Sequence, residues 1–280
     1  MSLFNRKRKN KSLDEINAFT NKSIPLHLEV QLAQSLGITR NHMEDAIYAL
    51  NIKTQLPKSH TTLGIFMVAD GMGGHMYGDV ASSVAIQSTA ASLHKTLVGP
   101  LHDGQTEFSD EAIATILEGA LQTAHNTVLE KVKGGGTTLT VALVLNKKLY
   151  FAHVGDSRLY ITSPTKPLKA LTLDHSLVQR LVELGQISQD DANDHPQRNV
   201  LFRALGQNEG FKADIGNIEI TEPCTLLLCS DGLWGLVNQE SLSKRINDGG
   251  SYEKMVNSLI EMANDAGGTD NISAILVKIS

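Results

Sequence analysis

Three aspartates stand beside glycine at the ends of apolar runs: Asp70 before Gly71, Asp231 before Gly232, and Asp270 behind Gly267-Gly268-Thr269. A carboxylate at a strand end is held by a rigid sheet, and glycine lets the chain turn sharply beside it. Several such ends can therefore converge on one hard cation through oxygen ligands. Each Asp-Gly pair alone is an ordinary turn; the combination is what points to a metal site. Other compact polar motifs accompany them. They are Thr39-Arg40-Asn41-His42-Met43-Glu44-Asp45, Val68-Ala69-Asp70-Gly71-Met72-Gly73-Gly74-His75, Gly136-Thr137-Thr138, Val154-Gly155-Asp156-Ser157-Arg158, Ser230-Asp231-Gly232-Leu233-Trp234 and Gly268-Thr269-Asp270-Asn271.

The elements that must position these residues are legible in outline. Leu26 to Ser35 and Thr62 to Ala69 read as strands, the second ending at Asp70-Gly71, and Leu226 to Cys229 reads as a buried strand ending at Ser230-Asp231-Gly232. Residues 79–97 and 109–132 read as helices. In the second, Ile113, Ile116, Leu117, Ala120, Leu121, Ala124 and Val128 recur at i, i+3, i+4 spacing behind Ser109 as N-cap. After Gly134-Gly135-Gly136, the stretches Thr137 to Asn146, Lys148 to Asp156 and Arg158 to Ile161 alternate like strands of an antiparallel meander. A short helix is expected from Ser176 to Leu184, two more near 239–247 and 251–265, and a last strand from Ile272 to Ile279. Asp174 to Leu205 is too polar for a core segment and reads as a surface excursion. Clustered strands and paired helices without regular βαβ alternation indicate an α+β arrangement of sheets covered by helices, with residues 26–280 as one domain.

Composition narrows the chemistry. With 280 residues, 41% of them hydrophobic, the chain can build a substantial core. Arg6, Lys7, Arg8, Lys9 and Lys11 form a basic segment without an acid, within a tail over residues 1–25 that is expected to be disordered. Removing those five charges from a net −5 leaves −10 on the rest. An acidic body argues against general nucleic-acid binding and suits carboxylates gathered around cations. Cys224 and Cys229 show neither zinc spacing nor a disulfide framework. No apolar run approaches the ~20 residues that span a bilayer, and the basic N-terminus has no apolar segment of a signal peptide behind it. The expectation is a cytoplasmic protein without a transmembrane segment.

In their order and spacing the six motifs resemble the bacterial branch of the type 2C, metal-dependent Ser/Thr protein phosphatases (the PPM family). The resemblance runs from about His27 to Ser280 and includes Leu171-Thr172-Leu173-Asp174-His175-Ser176 and His195-Pro196-Gln197-Arg198-Asn199. It implies a four-layer α/β/β/α sandwich, two antiparallel sheets flanked by helix pairs, with two Mn2+ or Mg2+ ions at the sheet ends and a flap over about residues 174–205. By the same resemblance Asp70 bridges both metals, the Gly71 carbonyl binds one, and Asp231 and Asp270 bind the other. Glu44 acts through water, Asp45 and Asn271 lend support, and Asp156 with Asp231 holds a weaker third metal. Arg40 resembles the phosphate-binding arginine, whose planar fork can hold two phosphate oxygens.

The implied reaction is hydrolysis of phosphoserine and phosphothreonine by a hydroxide shared by two cations about 3.5 to 4 Å apart. The implied partners are phosphorylated proteins, the substrates of a Ser/Thr kinase; nothing in the sequence speaks for an oligomeric state. Where animal members read Asp-Gly-His, with a histidine proposed as general acid, this chain has Asp70-Gly71-Met72, and methionine donates no proton. His75 and His153 lie near the motifs and leave the donor open. Two other readings stand beside this one: a catalytically silent regulatory module of the same fold, and a phosphomonoesterase acting on small molecules. The presence of every implied metal carboxylate and of Arg40 speaks against the first, and the absence of a nucleotide or sugar motif against the second.

Overall fold

The computed structural model describes residues 26–55, 60–72, 77–193, 195–207 and 211–280; the basic tail and His75 lie outside them. The strands are β1 (Leu28–Ser35), β2 (Asp45–Gln55), β3 (His60–Met72), β4 (Gly136–Thr137), β5 (Leu139–Leu145), β6 (Lys148–Val154), β7 (Arg158–Ser163), β8 (Lys166–Ala170), β9 (Asp214–Glu219), β10 (Cys224–Cys229) and β11 (Ile272–Ile279). The helices are α1 (Gly78–Leu93), continued by a π-helical stretch at His94–Val98 and a short helical turn at Gly99–His102, then α2 (Asp110–Lys131), α3 (Leu177–Glu183), α4 (Gln189–Asn193), α5 (Asp231–Trp234), α6 (Gln239–Asn247) and α7 (Tyr252–Asp265).

The period-two geometry of β3 decides the layering. Ile65, Met67 and Ala69 pack with Ala81 and Ala85 of α1 and Leu117, Leu121 and Ala124 of α2. Phe66 and Val68, on the opposite face, pack with Leu226 and Leu228 of β10 and Ile275 and Val277 of β11. Since both faces are buried, the strand reads as an unbroken apolar run. A third cluster covers the far face of the second sheet, where Leu227 and Leu276 meet Val256, Leu259 and Ala263 of α7 and Leu242 of α6. One sheet has the order β2-β3-β5-β6-β9 with β4 against the end of β3, the other β1-β11-β10-β7-β8, and every ladder is antiparallel. The four-layer sandwich is thus the observed fold.

Helix signals translate closely. Ser109 caps α2 by accepting from Ala112 N at 3.1 Å, and Ser176 and Ser251 cap α3 and α7 in the same way. Three details correct the sequence reading. First, β5, β6 and β7 are not one meander: β6 pairs with β5 and β9, whereas β7 crosses to the other sheet and pairs with β10 and β8. The crossing turns at Gly155, φ 103°, a left-handed conformation that favours glycine. Second, β3 continues past Asp70 to Met72, so this carboxylate projects from within a strand. Third, the 174–205 excursion is buried at both roots, at Asp174, His175, Ser176, Ala204 and Leu205; its outer part carries exposed Leu184, Val200 and Phe202.

Candidate active site at the sheet ends

Neighbouring ends of the two sheets meet where β2, β3, β10 and β11 begin or stop. Asp45 lies opposite Asp70 in the β2–β3 register. The Asp70 backbone is held on its other side by Thr138, whose Oγ1 accepts from Asp70 N at 2.9 Å and whose own N–H donates to Asp70 O at 2.9 Å. Asp231 opens α5 directly after β10. Asn271 clamps the loop that carries Arg40 and Glu44. Its Nδ2 donates to Leu36 O and His42 O, both at 3.0 Å, and its Oδ1 accepts from Glu44 N at 2.7 Å. Gly78 is required at the start of α1, because a Cβ there would meet Glu44 Oε1 and the Gly71 carbonyl.

Arg40, Glu44, Asp70, Gly71, Asp156, Asp231, Asp270 and Asn271 line one cleft of ≈ 240 Å³. Asp45 sits beneath it, its Oδ2 accepting from Ser230 Oγ at 2.8 Å. All nine residues singled out in the sequence are therefore brought together. Arg40 spans two of the acids, donating to Asp270 Oδ2 at 2.8 Å and approaching Glu44 Oε2 at 3.5 Å.

So many carboxylates in one place cannot all ionise without compensation. Burial pushes Asp45 up to about 7, against the hydrogen bonds of Ser273 and Ser230. It pushes Asp231 up to about 6, with the charge of Asp270 adding to it. Asp70 is held well above the usual range by burial and by the charges of Asp45, Asp231, Asp156 and Asp270. Asp156 is raised by burial, Asp231 and Asp174.

Two buried oxygens, Glu44 Oε1 and Asp231 Oδ1, have no hydrogen-bond partner. A buried carboxylate oxygen left in that condition is costly, and a cation would satisfy both it and the surplus negative charge. The donors are all oxygen, which suits Mg2+ or Mn2+ rather than zinc. As the side chains stand, no three His, Cys, Asp or Glu among the described residues are grouped closely enough to hold a metal ion, and Arg40 occupies Asp270 Oδ2 at 2.8 Å. The residues fit a hard divalent cation by chemistry and by the orphaned oxygens.

Residues without an assigned role in the sequence reading complete the site. Thr138, Ser230 and Trp234 all fall inside the quoted motifs, and their contacts became visible only in three dimensions. Met72 lines the cleft with a thioether, 3.3 Å from Gln207 Nε2. His153 is fully buried and bonds Thr140 Oγ1 through Nδ1 at 2.9 Å; it does not line the cleft. A second cavity of ≈ 290 Å³ shares Asp156, Asn199, Asp231 and Asp270 with the first and extends between Val178 and Gln179 of the 174–205 excursion and Trp234.

The family Protein phosphatase 2C matches residues 33–272. The serine/threonine phosphatase stp of Listeria welshimeri is 34% identical over 248 residues, which cover 86% of this chain and 92% of that protein. The serine/threonine phosphatase of S. agalactiae superposes with a TM-score of 0.77 at 28% identity, over 90% of this chain and 99% of that one. The catalytic domain of the serine/threonine protein phosphatase PstP in complex with two manganese ions gives a TM-score of 0.73 at 28% identity, covering 91% and 99%. A sandwich with a carboxylate-lined cleft across its sheet ends is the architecture of a metal-dependent phosphatase. The chain belongs to the protein phosphatase 2C family, in its bacterial branch, and is a protein phosphatase of that type.

Proposed function

We propose that this enzyme hydrolyses phosphoserine and phosphothreonine in proteins with two divalent cations held by Asp70, the Gly71 carbonyl, Asp231 and Asp270, and by Glu44 through water. The observation that carries the reading is the convergence of these oxygens with Arg40 on one cleft, two of them buried and unpartnered. When bound, the cations supply an acidified water as nucleophile. Arg40 orients the phosphoryl group and offsets the charge that grows on it. Asp45 and Asn271 keep Asp70 and Glu44 in place. The leaving serine oxygen needs a proton that Met72 cannot give; Asp156, at the wall shared by the two cavities, would with Asp231 hold a weaker third cation whose water is acidic enough to provide it. Flanking residues of the phosphoprotein lie in the second cavity, against the flap, so substrate choice resides there.

The manganese complex of PstP supports the use of Mn2+. The names of the relatives support phosphoserine and phosphothreonine substrates; a Ser/Thr kinase would be the enzyme that makes them. Among the described residues no helix is long and apolar enough to cross a membrane. Turnover of phosphoserine, phosphothreonine and phosphotyrosine peptides before and after chelation tests the proposal. Activity on the first two should vanish with excess chelator and return with Mn2+ or Mg2+. Full activity in chelator sinks the two-cation reading, and preference for small phosphate monoesters over peptides sinks the protein-substrate reading.

A further inference from the structure

Trp234, the chain's one tryptophan, stands three residues after Asp231. Its indole N–H donates to the backbone carbonyl of Asp156 at 2.9 Å. The Arg158 guanidinium lies over the indole, 3.5 Å from its centroid, a cation–π geometry. The same guanidinium grips Asp174 through Nε and Nη2 at 2.9 and 2.8 Å and donates to Tyr160 Oη at 3.0 Å. The next residue, His175, donates its backbone N–H to Gly155 O at 2.7 Å and accepts from Gly155 N on Nδ1 at 3.2 Å. Asp156 is therefore bracketed on both sides by bonds to two other elements. Neither Trp234 nor Arg158 has a part in the chemistry proposed above.

We infer that Trp234 is a positioning residue for the Asp156 carboxylate, locking through its N–H and the Arg158–Asp174 pair the Asp231 helix, the inter-sheet crossing and the flap root into one unit. The inference rests on the role proposed for Asp156. The physical reason is local: a hydrogen bond to the carbonyl of Asp156 fixes that residue's peptide plane and so the direction in which its side chain leaves the crossing. β7 and α5 reach this point from different parts of the sequence, and the Gly155 turn alone would leave the crossing free to pivot. Displacement by about 1 Å is enough to cost a large factor in rate.

The replacement Trp234→Phe keeps a ring beneath Arg158 and removes the donor. It is compared with Asp156→Asn and with the double variant on a phosphoserine peptide, whose leaving group needs a proton, and on nitrophenyl phosphate, whose leaving group does not. Each single change should lower the peptide-to-nitrophenyl ratio of kcat at saturating substrate by about tenfold or more, and the double variant should fall no further than Asp156→Asn, the mark of two residues acting through one group. Equal loss on both substrates in Trp234→Phe, or multiplying losses in the double variant, overturns the positioning role. An unchanged ratio in Asp156→Asn overturns the part proposed for Asp156 in holding the third cation, and the inference with it. A second readout needs no Trp234 variant: in the wild-type chain, Trp234 fluorescence should change during the weakest phase of a Mg2+ titration, and Asp156→Asn should abolish that change. Flat emission overturns the coupling. A wild-type chain unable to hydrolyse the phosphopeptide would instead overturn the phosphatase reading itself.

Discussion

Arg40 shows what a single side chain does in this cleft. Its side chain is 41% exposed, yet its guanidinium reaches both Asp270 Oδ2 and Glu44 Oε2. A fork already aimed at oxygens across the cleft is suited to take two phosphate oxygens once substrate competes for it. Arg40→Ala should therefore raise KM and also lower kcat, together about 10²-fold or more in kcat/KM, because the contact strengthens as charge builds on the phosphoryl group. Lysine should recover only part of the loss, being a point charge without the fork. Steady-state kinetics on a phosphopeptide and on nitrophenyl phosphate check this, and unchanged constants on both would return Arg40 to an ordinary surface charge.

At the scale of elements, the crossing from β6 to β7 carries the tightest demands. A Cβ on Gly155 would press on Thr138, the residue that holds the Asp70 backbone, and its φ of 103° disfavours any L side chain. Gly155→Ala is expected to lower the melting temperature and to weaken Mg2+ binding together, as calorimetry can measure; a variant with both unchanged would show that the crossing is soft. On β6 itself, His153 is buried and pushed down to about 3, chiefly by burial and then by His175. The folded state keeps this ring neutral while the unfolded chain protonates it below pH ~6.5. Its contribution to stability is thus complete above ~6.5 and is lost as pH falls toward 3, by up to about 1.4 kcal/mol per pH unit. Urea unfolding between pH 6.5 and 4.5 should show a slope that His153→Gln makes shallower. An identical slope in the variant would show that the imidazole takes up its proton without unfolding.

Across the whole molecule, the two sheets press a group of mutually repelling carboxylates into one cleft, so folding and cation binding are linked. Addition of Mg2+ at about 100 times its dissociation constant should stabilise the folded state by about 2.7 kcal/mol per independent site. The same logic gives a test in the opposite direction. In chelator at pH 7.5, Asp70→Asn should melt at a higher temperature than the wild-type chain, because it removes a charge that burial and four neighbouring aspartates oppose. In Mg2+ the order should reverse, since the variant lacks the carboxylate proposed to bridge the two cations. Differential scanning calorimetry of both proteins decides, and a wild-type chain more stable than the variant in chelator would mean that the cluster is not under electrostatic strain.

Much of this protein is written locally in its sequence. The apolar stripe of α2, its Ser109 cap, the Asp-Gly strand ends and the ordered motifs identify the elements and the acids, because capping and periodicity act over a few residues. The edge strands β2, β8 and β9 are not marked in the sequence, since they are partly exposed and have weak alternation. Alternation also assigns faces without naming the partner strand, so it could not reveal that β7 leaves the sheet of β5 and β6 at Gly155. That crossing places Asp156 beside Asp231, residues far apart in the chain. The Asn271 clamp on Leu36, His42 and Glu44, the unpartnered oxygens of Glu44 and Asp231, and the bond from Trp234 to Asp156 were likewise decided only by tertiary structure. Each depends on the distance between segments more than seventy positions apart, and such distances are set by how two sheets pack and not by any local preference of the chain.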